Sequence, residues 1–323
     1  MKRRILSTLS VCLLIMAILL GCTPNVPDTT PTPNIPTLAP TDEPVDTSIN
    51  VTDMMGREIK LDAPASKVVA LTAADCEIIY ALGAGDALVG RGEYCNYPQE
   101  VLDVVAVQSG YETNVEQIIA LNPDVVIMSS MDQSKDQVNQ LEDAGINVVV
   151  SNADDIKGVY TCINLIGAVM GKTHEADALV KRMKDGFAQL AADAEGKDAT
   201  VYFEVSPLQY GLWTAGKNTF MDELAQMLGV KNCFDDVDGW AQISEEQVIE
   251  RNPDYIVTIS MYFGEGPTPV EEILSRKGWE DITAVMNNAV LNLQNDELSR
   301  PGPRLLDGAR ALYEVIYGKD SEN

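Results

Sequence analysis

The chain has 323 residues, of which 46% are hydrophobic and 6% aromatic, and its formal net charge is −26. A surface this acidic is a poor partner for nucleic acid, whereas it suits solubility and partners that carry basic patches. The length that remains after the first 50 residues, about 270, is sufficient for two α/β lobes.

The N-terminus has the three parts of an export signal. Residues 2–4 are basic, the apolar stretch Val11–Leu20 is too short for a membrane span, and Leu19–Cys22 reads Leu-Leu-Gly-Cys. This last segment resembles a bacterial lipobox, whose cysteine carries lipid such as palmitate and becomes the mature N-terminus. We therefore predict a lipoprotein signal peptide at 1–21 and a lipid anchor at Cys22, on the extracytoplasmic face of the cell membrane. An ordinary secretory signal with a chance cysteine is the alternative.

Residues 22–50 consist mainly of Pro, Thr, Asp and Asn with scattered aliphatic residues. Such a composition cannot bury enough apolar surface to fold, and its prolines keep it extended. It predicts a disordered stalk, although a leader with no spacing role would have the same composition. Removing the signal peptide takes away three Lys/Arg and no acid, so the mature chain carries a net charge of −29.

In residues 51–171, strands alternate with helices, which predicts an N-terminal lobe with a mainly parallel sheet. A hairpin with its turn at Met55 and Gly56 comes first. Asp75 is the expected N-cap of the next helix. The expected strands and helices of this lobe are Val68–Leu71, Cys76–Leu82, Leu88–Gly90, Val125–Met128, Gln133–Ala144 and Asn147–Val150.

One segment of 18 residues occurs twice, at 114–131 and at 244–261. Both copies contain Glu-Gln, then Asn-Pro-Asp, then Ser-Met, and all matching residues are 130 positions apart. Solenoid repeats have much shorter periods, about 20 to 50 residues. The duplication therefore predicts one α/β unit that is used once in each of two lobes.

The sequence of the repeated unit indicates a helix, a sharp stop and a buried strand. Asn114 or Ser244 can cap the helix, and a Gln three residues later completes a capping box, weaker in the first copy because Asn replaces Ser. The residue before proline is pushed out of the α region, which ends the helix. The following apolar run is typical of a parallel strand, and it ends where ligands bind in open α/β sheets.

A helical pattern without breakers predicts one long linking helix in residues 172–195. Residues 196–319 then predict a C-terminal α/β lobe. Besides the repeated unit, its expected elements are Ala199–Val205, Thr219–Met227, Val270–Arg276, Val290–Leu293 and Pro303–Tyr317. The predicted fold class is α/β, with two Rossmann-like lobes of mainly parallel sheets joined by one long α-helix.

Five features together resemble the iron-siderophore/vitamin B12 family of ABC-importer substrate-binding lipoproteins, which are periplasmic-binding-protein-like. They are the lipobox, the stalk, the duplicated unit, Asp53 with Gly56–Ile59, and Ser299–Arg304, and the resemblance spans roughly Val51 to Tyr317. It implies the same two-lobed fold, a metal chelate (ferric siderophore or cobalamin) bound between the lobes, and no cofactor. As partners it implies an ABC permease dimer with its ATPase subunits, contacted by a monomer that is held at the membrane only by lipid.

In this family a glutamate on each lobe contacts arginines of the permease. The resemblance carries that role to Glu116 and Glu246, which open the helices of the repeated unit. An acid in a first helical turn also complements the helix dipole, by about 0.3–1 kcal/mol, whatever its function. Two equivalent acids suit a two-fold receptor, so we favour docking.

The loops after the strand ends carry most of the tryptophans and many of the tyrosines of the chain. Aromatic faces suit large planar or catecholate ligands, although each of these residues can equally be explained by packing. Arg300 suits an anionic chelate, with a structural salt bridge as the alternative, and Met131 is more simply explained as core filler. The candidate ligand-binding residues are Tyr94, Tyr111, Met131, Trp213, Trp240, Tyr262 and Arg300.

The sequence argues against an enzyme, because it has no nucleophile elbow, no P-loop and no dinucleotide fingerprint after the first strand. A direct metal site is also not expected, because the chain has one histidine, His174. A haem receptor of the same fold and a surface lipoprotein without a transport role are the alternative functions. The pairing of Cys76, Cys95, Cys162 and Cys233, if any, cannot be assigned from sequence.

Overall fold

The computed structural model describes residues 47–110, 112–130 and 135–318. The predicted signal peptide, the lipid site Cys22 and the stalk up to residue 46 lie outside this range. Two candidate ligand residues, Tyr111 and Met131, also fall outside the described residues.

An antiparallel hairpin begins the described chain, and its turn contains Met55 and Gly56 as predicted. It consists of β1 (Ile49–Thr52) and β2 (Glu58–Leu61). The buried carboxylate of Asp53 fixes it to the rest of the lobe, because Oδ2 accepts from the backbone N–H of Val150 at 3.1 Å.

The first sheet has five strands, and all of its pairings are parallel. They are β3 (Val68–Ala70), β4 (Leu88–Gly92), β5 (Ala106–Val107), β6 (Val125–Met128) and β7 (Asn147–Val150). Their order is β5-β4-β3-β6-β7. This confirms the prediction of a mainly parallel sheet in the first lobe.

Four helices accompany this sheet: α1 (Ala73–Ala81), α2 (Val115–Ala120), α3 (Lys135–Asp143) and α4 (Ile156–Val169). The predicted start of α1 was wrong. Thr72, not Asp75, is its N-cap, because the Thr72 hydroxyl accepts from the backbone N–H of Asp75 at 3.1 Å. Helix α4, capped by Asp155, was not predicted.

The long linking helix is confirmed as α5 (Thr173–Asp193), with 21 residues. It packs against α4 of the first lobe and against α11 (Leu305–Tyr317) of the second. One hydrophobic cluster runs from Val68 in the first sheet through Phe187 of α5 to Val201 in the second sheet. The two lobes therefore share a continuous core through this helix.

The second sheet combines parallel and antiparallel strands. They are β8 (Thr200–Ser206), β9 (Trp213–Ala215), β10 (Lys231–Asn232), β11 (Trp240–Gln242), β12 (Tyr255–Thr258) and β13 (Val290–Asn292). The main order is β11-β9-β8-β12-β13, and β10 also pairs with β8. Strands β8, β10, β12 and β13 pair in parallel, whereas β9 and β11 are antiparallel to their neighbours and were not predicted.

The remaining helices surround the second sheet. They are α6 (Phe220–Met227), α7 (Glu245–Arg251), α8 (Pro269–Leu274), α9 (Thr283–Met286), α10 (Asn295–Ser299) and α11. Helix α11 begins at Leu305, two residues after the predicted start at Pro303.

The duplicated segment folds alike in both lobes, as α2 with β6 and as α7 with β12. Of the two copies, the second forms the full capping box, at Ser244. In the first copy the Gln117 side chain donates instead to the carbonyl of Ala106. Both helices end before the proline, and Asn122 and Asn252 are left-handed, with φ of 47° and 46°. Asparagine tolerates this conformation better than most residues.

The aspartate of each repeat joins two neighbouring strands. Asp124 Oδ2 accepts from the backbone N–H of Ser66 at 2.8 Å, just before β3. Asp254 Oδ2 accepts from the backbone N–H of Thr200 at 2.8 Å, at the start of β8. Equivalent carboxylates, Asp124 and Asp254, therefore hold the central pair of strands together in each lobe.

Candidate ligand-binding cleft

A cavity of about 570 Å³ lies where strands of both sheets end. Leu71 follows β3, Ser129 follows β6 and Ser151 follows β7 on the first side, and Val205 of β8 and Ile259 after β12 line the second. The carboxyl ends of parallel strands are the usual ligand-binding edge of open α/β sheets. The volume is within the range of small-molecule sites, about 300–1,000 Å³.

The wall from the first lobe carries most of the polar side chains of the cavity, between apolar residues such as Leu71 and Ala74. Its lining includes the hydroxyl, amide and carboxyl side chains of Thr72, Asp75, Ser109, Ser129, Ser151, Asn152 and Asp154. Ser129 Oγ and Asn152 Oδ1 are hydrogen-bonded at 3.1 Å. This wall offers both hydrogen-bond donors and acceptors to a ligand, and two of its members are acids.

Asp75 is the most buried acid of this wall, with 2% of its surface exposed. The Ser151 hydroxyl donates to its Oδ1 at 2.5 Å, and the Thr72 hydroxyl donates to its Oδ2 at 2.6 Å. Burial raises the pKa of Asp75 from 3.8 to about 6, although both hydrogen bonds act in the opposite direction. The folded protein therefore binds this proton more tightly than the unfolded chain does, and the side chain becomes mainly ionised above about pH 6.

This shift predicts a pH-dependent stability. Because the pKa of Asp75 is higher in the folded than in the unfolded state, its contribution is complete below about pH 4 and is lost as the pH rises through 6. We expect the free energy of unfolding of the wild type, relative to Asp75→Asn, to fall by about 2 to 3 kcal/mol between pH 4 and pH 7.5. Urea denaturation of both proteins at several pH values measures it, and a difference independent of pH would contradict the raised pKa.

The wall from the second lobe is apolar near the end of its sheet. It contains Val205, Phe220, Trp240 and Ile259. The rings of Phe220 and Trp240 have centroids 5.3 Å apart and a 60° angle between their planes. Trp240 keeps 37% of its surface exposed. The cavity is therefore amphipathic, with hydroxyl, amide and carboxyl groups on one side and two aromatic rings on the other.

A buried ionic cluster connects the lobes at the rim of this cavity. Glu77 of α1, 3% exposed, accepts from Arg300 Nη1 at 2.8 Å and from Arg304 Nη2 at 2.8 Å. Arg300 also pairs with Asp296 at 2.8 Å and donates to Asn96 Oδ1 at 2.7 Å. Arg300 therefore forms the structural salt bridges that were the alternative to ligand binding, and it also lines the cavity.

The structure brings three of the sequence-predicted ligand residues to one cavity, namely Tyr94, Trp240 and Arg300. Trp213 and Tyr262 do not line it. Trp213 lies on β9 and is 38% exposed, and the Tyr262 hydroxyl donates to the carbonyl of Gly266 at 3.2 Å.

Phe220 and Ser151 line the cavity but were not among the predicted ligand residues. The rule that places ligands after strand ends would have included Ser151, because the strand before it was predicted correctly. Phe220 is the first residue of α6, and no local pattern distinguishes it from a core residue.

Glu116 and Glu246 are exposed in the first turns of α2 and α7. Each helix precedes a strand that runs in the opposite direction, so both helix starts lie toward the cleft edge of their sheets. Hydrogen bonds from its own backbone N–H and from Ser244 lower the pKa of Glu246. The repeat also exposes an isoleucine three residues later in both lobes, Ile119 at 39% and Ile249 at 40%.

Two negative findings apply to the described residues only. Among them, no three or more His, Cys, Asp and Glu side chains are grouped so that they could hold a metal ion. Among the same residues, no helix has the length and apolar character needed to cross a membrane.

Comparison with known proteins gives a consistent family. A family model described as periplasmic binding protein matches residues 68–297. The chain is 37% identical over 276 residues to the "Uncharacterized ABC transporter substrate-binding lipoprotein YvrC" of Bacillus subtilis, covering 83% of this chain and 85% of that protein. It is 29% identical over 257 residues to the "Vitamin B12-binding protein" of Salmonella typhimurium, covering 78% and 90%.

The same fold is found in a solved structure with 31% sequence identity to this chain. It is the crystal structure of a "possible" iron-binding (periplasmic solute-binding) protein from Staphylococcus epidermidis. The two chains superpose with a TM-score of 0.67. The match covers 78% of this chain and 99% of that chain. The chain therefore belongs to the periplasmic binding protein family of ABC-importer substrate-binding proteins, which bind solutes and are not enzymes.

Proposed function

We propose that this protein is a lipid-anchored receptor that captures a metal chelate in the cleft and delivers it to the permease of an ABC importer. The observation that carries the proposal is the amphipathic cavity between the lobes, with aromatic residues on one side and hydroxyl, amide and carboxyl groups on the other. A large ligand with an apolar face and a polar periphery fits such walls.

Among chelates, we favour a corrinoid. The polar wall contains Asp75 and Asp154, so it disfavours carboxylates and favours amide donors at the ligand periphery. The only cation lining the cavity among the described residues, Arg300, is already paired with Glu77 and Asp296. A corrinoid carries neutral amide side chains, whereas haem carries carboxylates. The vitamin B12-binding relatives support the same choice.

A ferric siderophore is the second candidate. The relative of known structure from Staphylococcus epidermidis is described as a possible iron-binding protein, and it is more similar in sequence than the B12-binding relatives. A neutral ferric hydroxamate would satisfy the same electrostatic argument.

The proposal also includes the lipid anchor, the stalk and the contacts with the permease. We propose a signal peptide at 1–21, lipidation at Cys22 and a stalk at 22–50 that spaces a monomeric binding domain from the membrane. The similarity to a lipoprotein of Bacillus subtilis supports the anchor. For docking we propose Glu116 and Glu246 as the contacts with the two permease subunits, because they are exposed and occupy equivalent positions in the two lobes.

Binding of cyanocobalamin is the direct test. We expect saturable 1:1 binding by isothermal titration calorimetry, accompanied by quenching of tryptophan fluorescence. Trp240→Leu should weaken the affinity roughly tenfold, because an aromatic contact contributes on the order of 1–2 kcal/mol. Trp213→Leu is the matched control, because Trp213 is equally exposed on the adjacent strand but does not line the cavity.

Parallel titrations with a ferric hydroxamate and with haem separate the alternatives. Tight binding of the hydroxamate but not of cyanocobalamin would refute the corrinoid and leave the receptor role standing. Preference for haem would refute the electrostatic argument from Asp75 and Asp154. No binding of any of the three at micromolar protein would contradict the proposal as a whole.

A further inference from the structure

Two cysteines far apart in sequence meet at the ends of adjacent strands. Cys76 lies in α1, directly after β3, and Cys95 lies three residues after β4. Strands β3 and β4 pair in parallel, with Ala70 opposite Arg91. The segments that leave these two strands are therefore neighbours at the same edge of the sheet.

Contacts around the thiols show how closely the segments approach. The Cys76 thiol donates back to the carbonyl of Ala70 at 3.7 Å. The backbone N–H of Cys95 donates to the carbonyl of Gly92 at 3.1 Å, so the chain turns directly after β4. A side chain at Gly92 would place its Cβ 2.2 Å from the carbonyl oxygen of Leu71, so the two strand ends are pressed together.

Both side chains are buried in the same hydrophobic cluster, Cys76 at 0% exposure and Cys95 at 1%. Both are free thiols in the structure, and the nearby Cys95 raises the pKa of the Cys76 thiol. Cys162 and Cys233, also buried, have no such thiol partner among the described contacts.

We propose that Cys76 and Cys95 form an intrachain disulfide in the exported protein. The two thiols lose two protons and two electrons, and the electrons pass to an oxidised dithiol oxidoreductase of the extracytoplasmic space, whose own disulfide is reduced. Proteins of that compartment commonly carry such bonds. The proposal requires export of the chain and does not depend on which ligand it binds.

The bond forms while the chain folds. In the folded protein the neighbouring Cys95 and then burial hold the pKa of the Cys76 thiol well above its ordinary value. A thiol with a raised pKa provides little thiolate and exchanges slowly. Once formed, a disulfide at this depth is protected from reductants in the folded protein and becomes accessible to them only when the protein unfolds.

The disulfide would fix the cleft segment that contacts the second lobe. Residues 93–98 carry Tyr94, which lines the cavity, and Asn96, which donates to Asp296 at 3.2 Å. The same segment carries Tyr97, whose ring stacks on Arg304 with 4.1 Å from the guanidinium carbon to the ring centroid. A covalent bond at Cys95 holds these contacts against the end of the first sheet.

Peptide mapping of the full lipoprotein tests the proposal. Exported protein is extracted in detergent with an alkylating reagent present, digested without reductant and analysed by mass spectrometry. We expect one peptide pair linked through Cys76 and Cys95, lighter by two hydrogens than the separate peptides. Cys162 and Cys233 should be alkylated once the protein is denatured, which makes them internal controls.

Thermal unfolding provides a second readout. Reductant added in the unfolding buffer should lower the Tm of the wild type by roughly 5–10 °C, since closing a loop of about 20 residues is a substantial constraint. The Tm of Cys95→Ser should not respond to reductant, and that of Cys162→Ser should respond like the wild type. Recovery of Cys76 and Cys95 as alkylated thiols, both in the exported protein and in protein refolded with oxidised glutathione, would overturn the proposal. A bond from either residue to Cys162 or Cys233 would overturn it as well.

Discussion

Replacing Glu116 and Glu246 together with alanine is expected to reduce uptake about 100-fold or more while the Kd for ligand stays unchanged. Each glutamate would lose a charge pair with the permease, and losing one partner of a desolvated pair costs about 2–5 kcal/mol. Neither residue lines the cavity, and both are exposed, so we expect ligand affinity to be unaffected and stability to fall by no more than about 0.3–1 kcal/mol for each lost helix-dipole contact. Each single variant should have an intermediate effect, because the other lobe still docks.

Uptake is measured with radiolabelled ligand in cells that produce the whole importer, and the Kd by calorimetry on the purified receptor. The control is the double variant Asp136→Ala, Glu250→Ala. Asp136 is an exposed acid in the first turn of α3, and Glu250 is an exposed acid near the end of α7, so the control removes the same charge from exposed helix positions, one in each lobe. Equal loss of uptake in the control would assign the effect to overall charge, and a weakened Kd would refute the docking role.

Glu204→Gln is expected to lower the free energy of unfolding by about 3 kcal/mol or more. Glu204 and Arg276 are 1% and 6% exposed, and they form two hydrogen bonds of 2.6 and 2.9 Å. The variant leaves the buried guanidinium with Glu272 as its remaining acidic partner, at 2.5 Å. Breaking a buried ion pair from one side is costly because the other charge stays desolvated.

Chemical denaturation at neutral pH measures this loss. Glu272→Gln is the matched comparison, because the Glu272 side chain is 33% exposed and its pair should contribute less than about 1 kcal/mol. The double variant Glu204→Leu, Arg276→Met removes both charges of the buried pair and should recover most of the stability. If the double variant were as unstable as Glu204→Gln, the cost would come from lost packing and not from the unpaired charge.

The duplicated segment was predictable because its signals are local. A capping residue, a proline and an apolar run act within a few residues of one another, and the structure has the helix, the stop and the strand where they were expected. The parallel order of the first sheet followed from the alternation of strands and helices.

Helix α4 shows why other elements were not predictable. Its sequence contains Gly158, Gly167 and several β-branched residues, which are poor helix formers. Tertiary packing determines its conformation, because it lies between α1 and α5. At Gly167 a side chain would place its Cβ 2.5 Å from that of Ala176, so the close crossing of α4 and α5 requires glycine.

The cleft was only partly predictable for a similar reason. Strand ends located Tyr94 and Trp240 near the ligand, since that rule depends on the order of elements along the chain. The pairing of Arg300 with Glu77 joins residues 223 positions apart, and no local pattern records it. The approach of Cys76 to Cys95 likewise depends on the register of β3 and β4.

The ionic cluster at Glu77 has a thermodynamic consequence for the whole receptor. One carboxylate of the first lobe is shared by two arginines of the second lobe. Drawing the lobes apart would leave a buried charge unpaired, so we expect the cluster to favour the arrangement in which both lobes line the cavity. Little of the intrinsic binding free energy is then consumed by conformational selection, and the measured Kd reports the ligand contacts themselves.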